Sequence, residues 1–172
     1  MKEDVKIKRW QDMLKQLKLA YIERTAPNFF FLSGGYSMRV NPYSDKTANG
    51  LTKCIEDFIK HIGGYANRTS TTGMVRVVNG VAKWTKGNTN KGAFDLRFVY
   101  QGKSVDVEVK IGRDVMSDAQ EKEMTRIIAA GGLAFIAKDF PSFLYWFCNV
   151  FPDAVELLKP YGIENLLNHQ PA

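Results

Sequence analysis

The sequence predicts an α/β fold, with a central mixed β-sheet flanked by helices and an N-terminal helical extension. Three observations carry that prediction. Apolar residues recur at helical spacing on both sides of a block of strand-like segments, in the order helix, strands, helix, strand, helix. Asn79-Gly80 lies between two runs rich in valine, which is the signature of a tight hairpin. Residues 104–111 alternate strictly between apolar and polar side chains, the period of a strand with two unlike faces.

The elements follow in chain order. Val5, Ile7, Trp10, Met13, Leu14 and Leu17 alternate with lysines and predict a basic amphipathic helix over residues 4–20, broken at Ala26-Pro27. Phe29-Phe30-Phe31-Leu32 reads as a short buried strand or docking segment, and Gly34-Gly35 and Asn41-Pro42 as turns. Residues 1–48 form an extension packed on the main domain; a partner-binding arm is the alternative. A second helix starts at Asn49, with Leu51, Ile55, Phe58, Ile59 and Ile62 as its apolar face, and Gly63-Gly64 ends it. Residues 65–72 read as a first strand, and Met74–Val78 and Val81–Thr85 as the arms of the hairpin. Residues 86–92 are a polar, basic loop. Two strands, 94–100 and 104–111, are joined by a turn at Gln101-Gly102. A helix over 117–130 closes at Gly131-Gly132, Leu133–Ala137 reads as a buried strand, and 142–150 as an aromatic-rich helix. Residues 49–151 then form the core, and 152–172 a tail that packs on it or is partly flexible, with one short helix and fraying after Asn168.

Composition narrows the function classes. The chain has 172 residues with 45% hydrophobic content, which suffices for one core and not for two ordinary enzyme domains. Its net charge is +6, unevenly placed: residues 1–92 hold 16 Lys+Arg against 7 Asp+Glu, and residues 93–172 hold 8 against 11. A basic approach surface beside a carboxylate-rich segment suits a polyanionic partner and a metal-dependent phosphodiesterase, although a basic protein without a nucleic-acid role has the same composition. Cys54 and Cys148 sit in apolar surroundings without paired spacing and read as reduced core residues. His61 and His169 have no histidine or cysteine at ligand spacing, so no zinc motif is supported. The N-terminal Met1-Lys2-Glu3-Asp4 is charged with no apolar segment behind it, and the greasiest runs are too short to span a bilayer. An intracellular, cytoplasmic protein without a membrane segment is expected.

The chemistry concentrates on two strands. In 104–111, Val105, Val107, Val109 and Ile111 face one way and Asp106, Glu108 and Lys110 the other, so Glu108 and Lys110 lie about 7 Å apart on one face. The preceding strand repeats the logic, with Phe94, Leu96 and Phe98 inward and Asp95 and Arg97 opposite. If the strands are neighbours, Asp95 approaches Glu108, and two adjacent carboxylates repel unless a cation lies between them. Hard oxygen donors suit Mg2+, which takes one or two carboxylates and leaves its other positions to water and substrate phosphate. The bland reading of the same spacing is an exposed strand face carrying ordinary charges.

Gly92-Ala93-Phe94-Asp95, then Glu108-Val109-Lys110 on a later strand, then Ser117-Asp118-Ala119-Gln120 opening a helix, resembles the PD-(D/E)xK nuclease superfamily. The order and the Ser-x-x-Gln element are most similar to its VRR-NUC branch, to which Holliday-junction resolvases are related. The resemblance covers roughly residues 49–140. It implies a restriction-endonuclease-like core, hydrolysis of DNA phosphodiester bonds with Mg2+ or Mn2+, no organic cofactor, and a homodimer as in many small members. Action on branched or structured DNA, and an origin in a phage or mobile element, fit such small stand-alone members. Residue by residue, it implies that Asp95 and Glu108 bind the metal with the backbone carbonyl of Val109, and that Lys110 positions the hydrolytic water. Gln120 would support the site from the following helix, and Glu56 would contribute from the first helix through a water on the metal. The residue before the motif aspartate is often proline in the family and is Phe94 here.

Several positions carry two readings. Ser117-x-x-Gln120 is also a capping box. Glu56 is equally a solvated helix charge, and Arg68 either contacts phosphate or joins a surface ion pair. Lys83, Lys86 and Lys91 surround a Gly/Asn/Thr loop beside Trp84, which either grips a nucleic-acid backbone and wedges against bases or is a solvated hairpin. A resolvase proper and a non-catalytic nucleic-acid-binding module on the same scaffold are the competing functions.

Overall fold

A computed structural model of the chain describes residues 9–37, 40–69, 74–85 and 92–168. The expected start of the first helix and its Val5 and Ile7, together with Lys86, Lys91 and the end of the tail, lie outside the described residues.

The architecture is mixed α/β, with a four-stranded mixed sheet flanked by helices. Its strand order is β1 (Tyr65–Arg68), β4 (Leu96–Tyr100), β5 (Lys103–Val109), β6 (Leu133–Ala137). β1 and β5 both run antiparallel to β4, while β6 lies parallel to β5. The parallel step needs a crossover, which α4 (Asp118–Ala129) supplies. The hairpin β2 (Met74–Val78) and β3 (Val81–Thr85) forms a separate two-stranded sheet. Its turn residues Asn79 and Gly80 have φ of +53° and +78°, the mirror-image turn their sequence predicts.

One face of the sheet and the helices above it make the core. Leu96, Phe98, Val105 and Val107 are fully buried against α3 (Ala48–His61) and α5 (Phe140–Val150). Phe58 of α3 meets Phe140, Phe143 and Phe147 edge-on, with ring centroids 5.8, 6.1 and 5.1 Å away. α1 (Trp10–Thr25) adds Met13, Leu14 and Leu17 to the same cluster, and Trp10 lies 4.8 Å from Phe140. The strap at 40–47 is tied down too: Asp45 accepts from the Phe140 backbone N–H at 3.1 Å.

Three expectations change. Phe29-Phe30-Phe31-Leu32 is neither strand nor buried docking segment but the body of a short helix, α2 (Pro27–Leu32), with Phe30 buried and Leu32 89% exposed. Pro27 pre-sets the first turn of a helix, and a run of six residues turns one aromatic inward and leaves the others out. α1 reaches Thr25, past the expected end, because nothing before Ala26-Pro27 interrupts it. α5 starts at Phe140 because Asp139 caps it, accepting from the Ser142 N–H at 2.7 Å, and Pro141 is tolerated in the first turn. Cys54 and Cys148 are free and buried, and burial pushes their thiols up to about 12 and about 11. Among the described residues, no helix is long and apolar enough to cross a membrane.

Candidate metal and catalytic site

The start of β4 and the end of β5, the two central strands, meet at one end of the sheet. Leu96 pairs with Val107 and Arg97 with Asp106, so the antiparallel register sets Asp95 opposite Glu108. The Asp95 carboxylate accepts from the Val109 backbone N–H at 2.9 Å, and its own carbonyl accepts from Thr69 N–H at 2.9 Å. Asp95 is thereby held between β1 and β5, just before β4 begins. In an extended strand the N–H and C=O of one residue point to the same edge. The Val109 carbonyl therefore lies on the Asp95 side, past the end of the ladder.

Glu108 is 3% exposed. Its Oε1 accepts from Gln120 Nε2 and forms an ion pair with Lys110 Nζ at 3.0 Å, while Oε2 is buried with no hydrogen-bond partner. Burial pushes its carboxyl above the ordinary value; the Lys110 ammonium and the Asp95 backbone N–H oppose this, and the Asp95 charge adds to it. Burial alone would lower the Lys110 ammonium. The carboxylates of Glu108 and Asp114, the latter 3.5 Å from Nζ, outweigh it and hold Lys110 above its ordinary value. Lys110 is thus a fixed cation beside the two acids, suited to orienting water and balancing anionic charge rather than to accepting a proton.

Gln120 serves two structural purposes at once. Its Oε1 accepts from the Ser117 N–H at 3.0 Å, and its backbone N–H donates to Ser117 Oγ at 3.4 Å, closing the capping box of α4. Its Nε2 is left to hold Glu108. The cap fixes the rotamer that reaches the carboxylate, so the two readings of this residue are compatible.

Other sequence-predicted residues fall elsewhere. Asp106 is buried under a two-pronged contact with Arg97, at 2.8 and 3.1 Å. Glu56 is paired with Lys60 on α3. Arg68 sits at the same end of the sheet, but its register partner Leu96 places it on the core side rather than the carboxylate face, and it donates to Asn49 Oδ1 at 3.0 Å. Lys83 is exposed on the hairpin. Phe94, the residue before Asp95, is buried in the core. His61 lies 5.0 Å from the Tyr21 ring, away from the carboxylates in sequence and contacts.

Two residues gain roles that sequence reasoning missed. Asp114 is the second acid on Lys110, and its only signal is the spacing of four from the lysine across a turn. Gly92 has φ of +87°, and a Cβ there would lie 2.5 Å from the Ala119 carbonyl oxygen. Its backbone therefore packs on the first turn of α4, beside Gln120, at a place open only to glycine.

Among the described residues there is no group of three or more His, Cys, Asp or Glu able to hold a metal. Two carboxylates and a backbone carbonyl do not suit zinc, but they match Mg2+, which keeps several waters. The unpartnered Glu108 Oε2, buried opposite a second acid, is the atom such a cation would satisfy. No family model and no curated protein matches the chain.

Proposed function

We propose that the protein is a Mg2+-dependent deoxyribonuclease, with Mn2+ able to substitute, whose active site is the end of the sheet formed by Asp95, Glu108 and Lys110. The supporting observation is Glu108 Oε2: a buried, unpartnered carboxylate oxygen, set opposite Asp95 and beside a charged lysine. His61 Nδ1 is also buried without a partner, but Glu108 Oε2 is the one such atom that lies on a carboxylate facing a second acid, where a cation would satisfy it.

Asp95, Glu108 and the Val109 carbonyl would hold the cation. When bound, it supplies a Lewis acid that polarises a phosphodiester oxygen and acidifies water. Gln120 holds the Glu108 carboxylate in place through its capped rotamer. Lys110 orients the attacking water and neutralises charge that develops on the phosphate. The +9 net charge of residues 1–92 (16 minus 7) gathers the polyanionic strand, with Lys83 as a candidate contact. DNA as the substrate, and branched or structured DNA in particular, follow from the resemblance of the motifs.

The test is cleavage of labelled single-stranded, linear duplex and four-way-junction DNA with Mg2+, Mn2+ or EDTA, for wild type, Asp95→Ala and Lys110→Ala. Metal-dependent cutting that both substitutions abolish is expected, and strong preference for the junction would mark a resolvase. Binding without cutting, indifferent to both substitutions, would leave a non-catalytic nucleic-acid-binding module.

A further inference from the structure

The β2–β3 hairpin is a sheet of its own, inserted in the chain between β1 and β4. The outgoing stem leaves β1 at Thr69, whose N–H is bonded to the Asp95 carbonyl, and the returning stem arrives at Gly92, seated on the first turn of α4. Thr69 is thus bonded directly to Asp95, while Gly92 lies three residues before Asp95 and against the backbone of Ala119 and Gln120. Between them, β2 and β3 pair only with each other among the described residues.

The ribbon exposes apolar surface. Val77 pairs with Ala82, and the alternation along β3 puts Ala82 and Trp84 on that same face, with Val81 and Lys83 on the other. Val77 is 72% and Trp84 62% exposed. The other two tryptophans are packed, Trp10 on Phe140 and Trp146 on Phe135 at 4.8 and 4.6 Å between ring centroids. A two-stranded ribbon is marginal in water by itself, and an uncovered tryptophan face gains by meeting a partner. Charge selects the partner: residues 69–94 contain Arg76, Lys83, Lys86 and Lys91 and no Asp or Glu. An apolar ring in an acid-free, basic segment suits a polyanion with exposed ring faces, which is a nucleic-acid strand with unstacked bases.

We infer that Trp84 is a stacking platform for an unpaired base of the bound strand, and that it makes the protein prefer single-stranded or branched DNA to blunt duplex. This rests on the nuclease reading for its substrate class. In a duplex both faces of each internal base are covered by neighbours, so only an unpaired or splayed base presents a face to the indole. Lys83, on the opposite face of the same strand, is free to meet backbone phosphate.

The test uses the full chain with Ca2+ in place of Mg2+, and fluorescence anisotropy of labelled single-stranded, forked and blunt duplex oligonucleotides. Trp84→Ala is expected to weaken single-strand and fork binding about tenfold and duplex binding by less than about twofold, while Trp84→Phe keeps most of the affinity. Single strands should quench tryptophan emission in wild type and not in Trp84→Phe. Equal weakening on all three ligands, no weakening, or no binding of any oligonucleotide would overturn the inference. So would conversion of a dimer to a monomer by Trp84→Ala, which would give this face to a second copy of the chain. Binding is read without cutting, so failure of the nuclease reading (no cleavage, normal Trp84-dependent binding) is distinguishable from failure of this one.

Discussion

A carboxyl group taken out of water and set beside another acid resists ionisation, and Glu108 is in that position. Burial is the main cause of its upward shift, and Asp95 adds to it against the pull of Lys110. Between the unfolded value near 4.5 and the higher folded one, the folded state binds more protons, so this group lowers stability as pH rises across that window. A cation that binds only the ionised carboxylate reverses the effect. Mg2+ is therefore expected to raise Tm more at mildly alkaline than at mildly acidic pH, and Glu108→Gln should abolish the increase in thermal scans. Lys110→Ala should reduce cleavage by about a hundredfold or more, as loss of one electrostatic stabiliser commonly does. His61 runs the opposite way. Burial, with Lys18, Lys53 and Lys60 adding and Asp57 opposing, lowers it to about 4 from 6.5. Its folded value is depressed, so the stability it carries is full above 6.5 and is lost as pH falls towards 4. Tm measured against pH should fall less steeply in that range for His61→Phe than for wild type.

At the scale of elements, the site depends on how α4 is docked. No residue of α4 is fully buried; the helix packs through a half-buried stripe of Ala119, Gln120, Glu123, Met124 and Ile127, and its first turn is fixed by further contacts. Its first turn carries the Ser117–Gln120 box and receives the Gly92 backbone. Ser117→Ala is expected to cost about 1 kcal/mol by denaturant unfolding, the usual worth of a cap. It should also reduce cleavage, because Gln120 Oε1 loses the Ser117 hydroxyl that donates to it at 3.2 Å and keeps only the backbone N–H to aim it at Glu108. Gly92→Ala meets both a left-handed backbone and a clash with the Ala119 carbonyl, so it should impair stability and cleavage together. Far from the site, Phe58→Ala removes the ring around which three α5 aromatics pack and should cost about 3–5 kcal/mol. A cleavage rate that survives Phe58→Ala at low temperature would separate the core from the chemistry.

The whole molecule carries its charge in two territories, basic through residue 92 and mildly acidic beyond it. Asp95 and Glu108, both beyond residue 92, face each other where the start of β4 meets the end of β5. Counterion release makes such binding steeply salt-dependent. Affinity for DNA should fall about tenfold or more from low to physiological salt, measured by anisotropy with the Lys110→Ala variant to prevent cutting. A flat salt response would remove the polyanion from the account of this surface.

Periodicity and turn chemistry are local, and they were readable in the sequence. The alternation of 104–111, the Asn79-Gly80 turn, the α4 cap and the apolar face of α3 all follow from neighbours a few residues apart. The pairing of Asp95 with Glu108 was legible as a condition, since matched alternation on two adjacent strands leaves few registers. Tertiary structure decided what depends on distant partners. Phe29-Phe30-Phe31-Leu32 has strand-like composition, yet Pro27 and the packing of Phe30 make it a helix with most of its apolar surface outward. Arg68 lands on the core side because β1 pairs with β4 in a register that no local signal sets. The orphaned oxygen of Glu108, the second acid on Lys110 and the seat of Gly92 on α4 all arise where separate segments converge. Residue types and spacing determined which groups were available for chemistry. Burial, which only the assembled sheet and helices create, decided which of them were left poised.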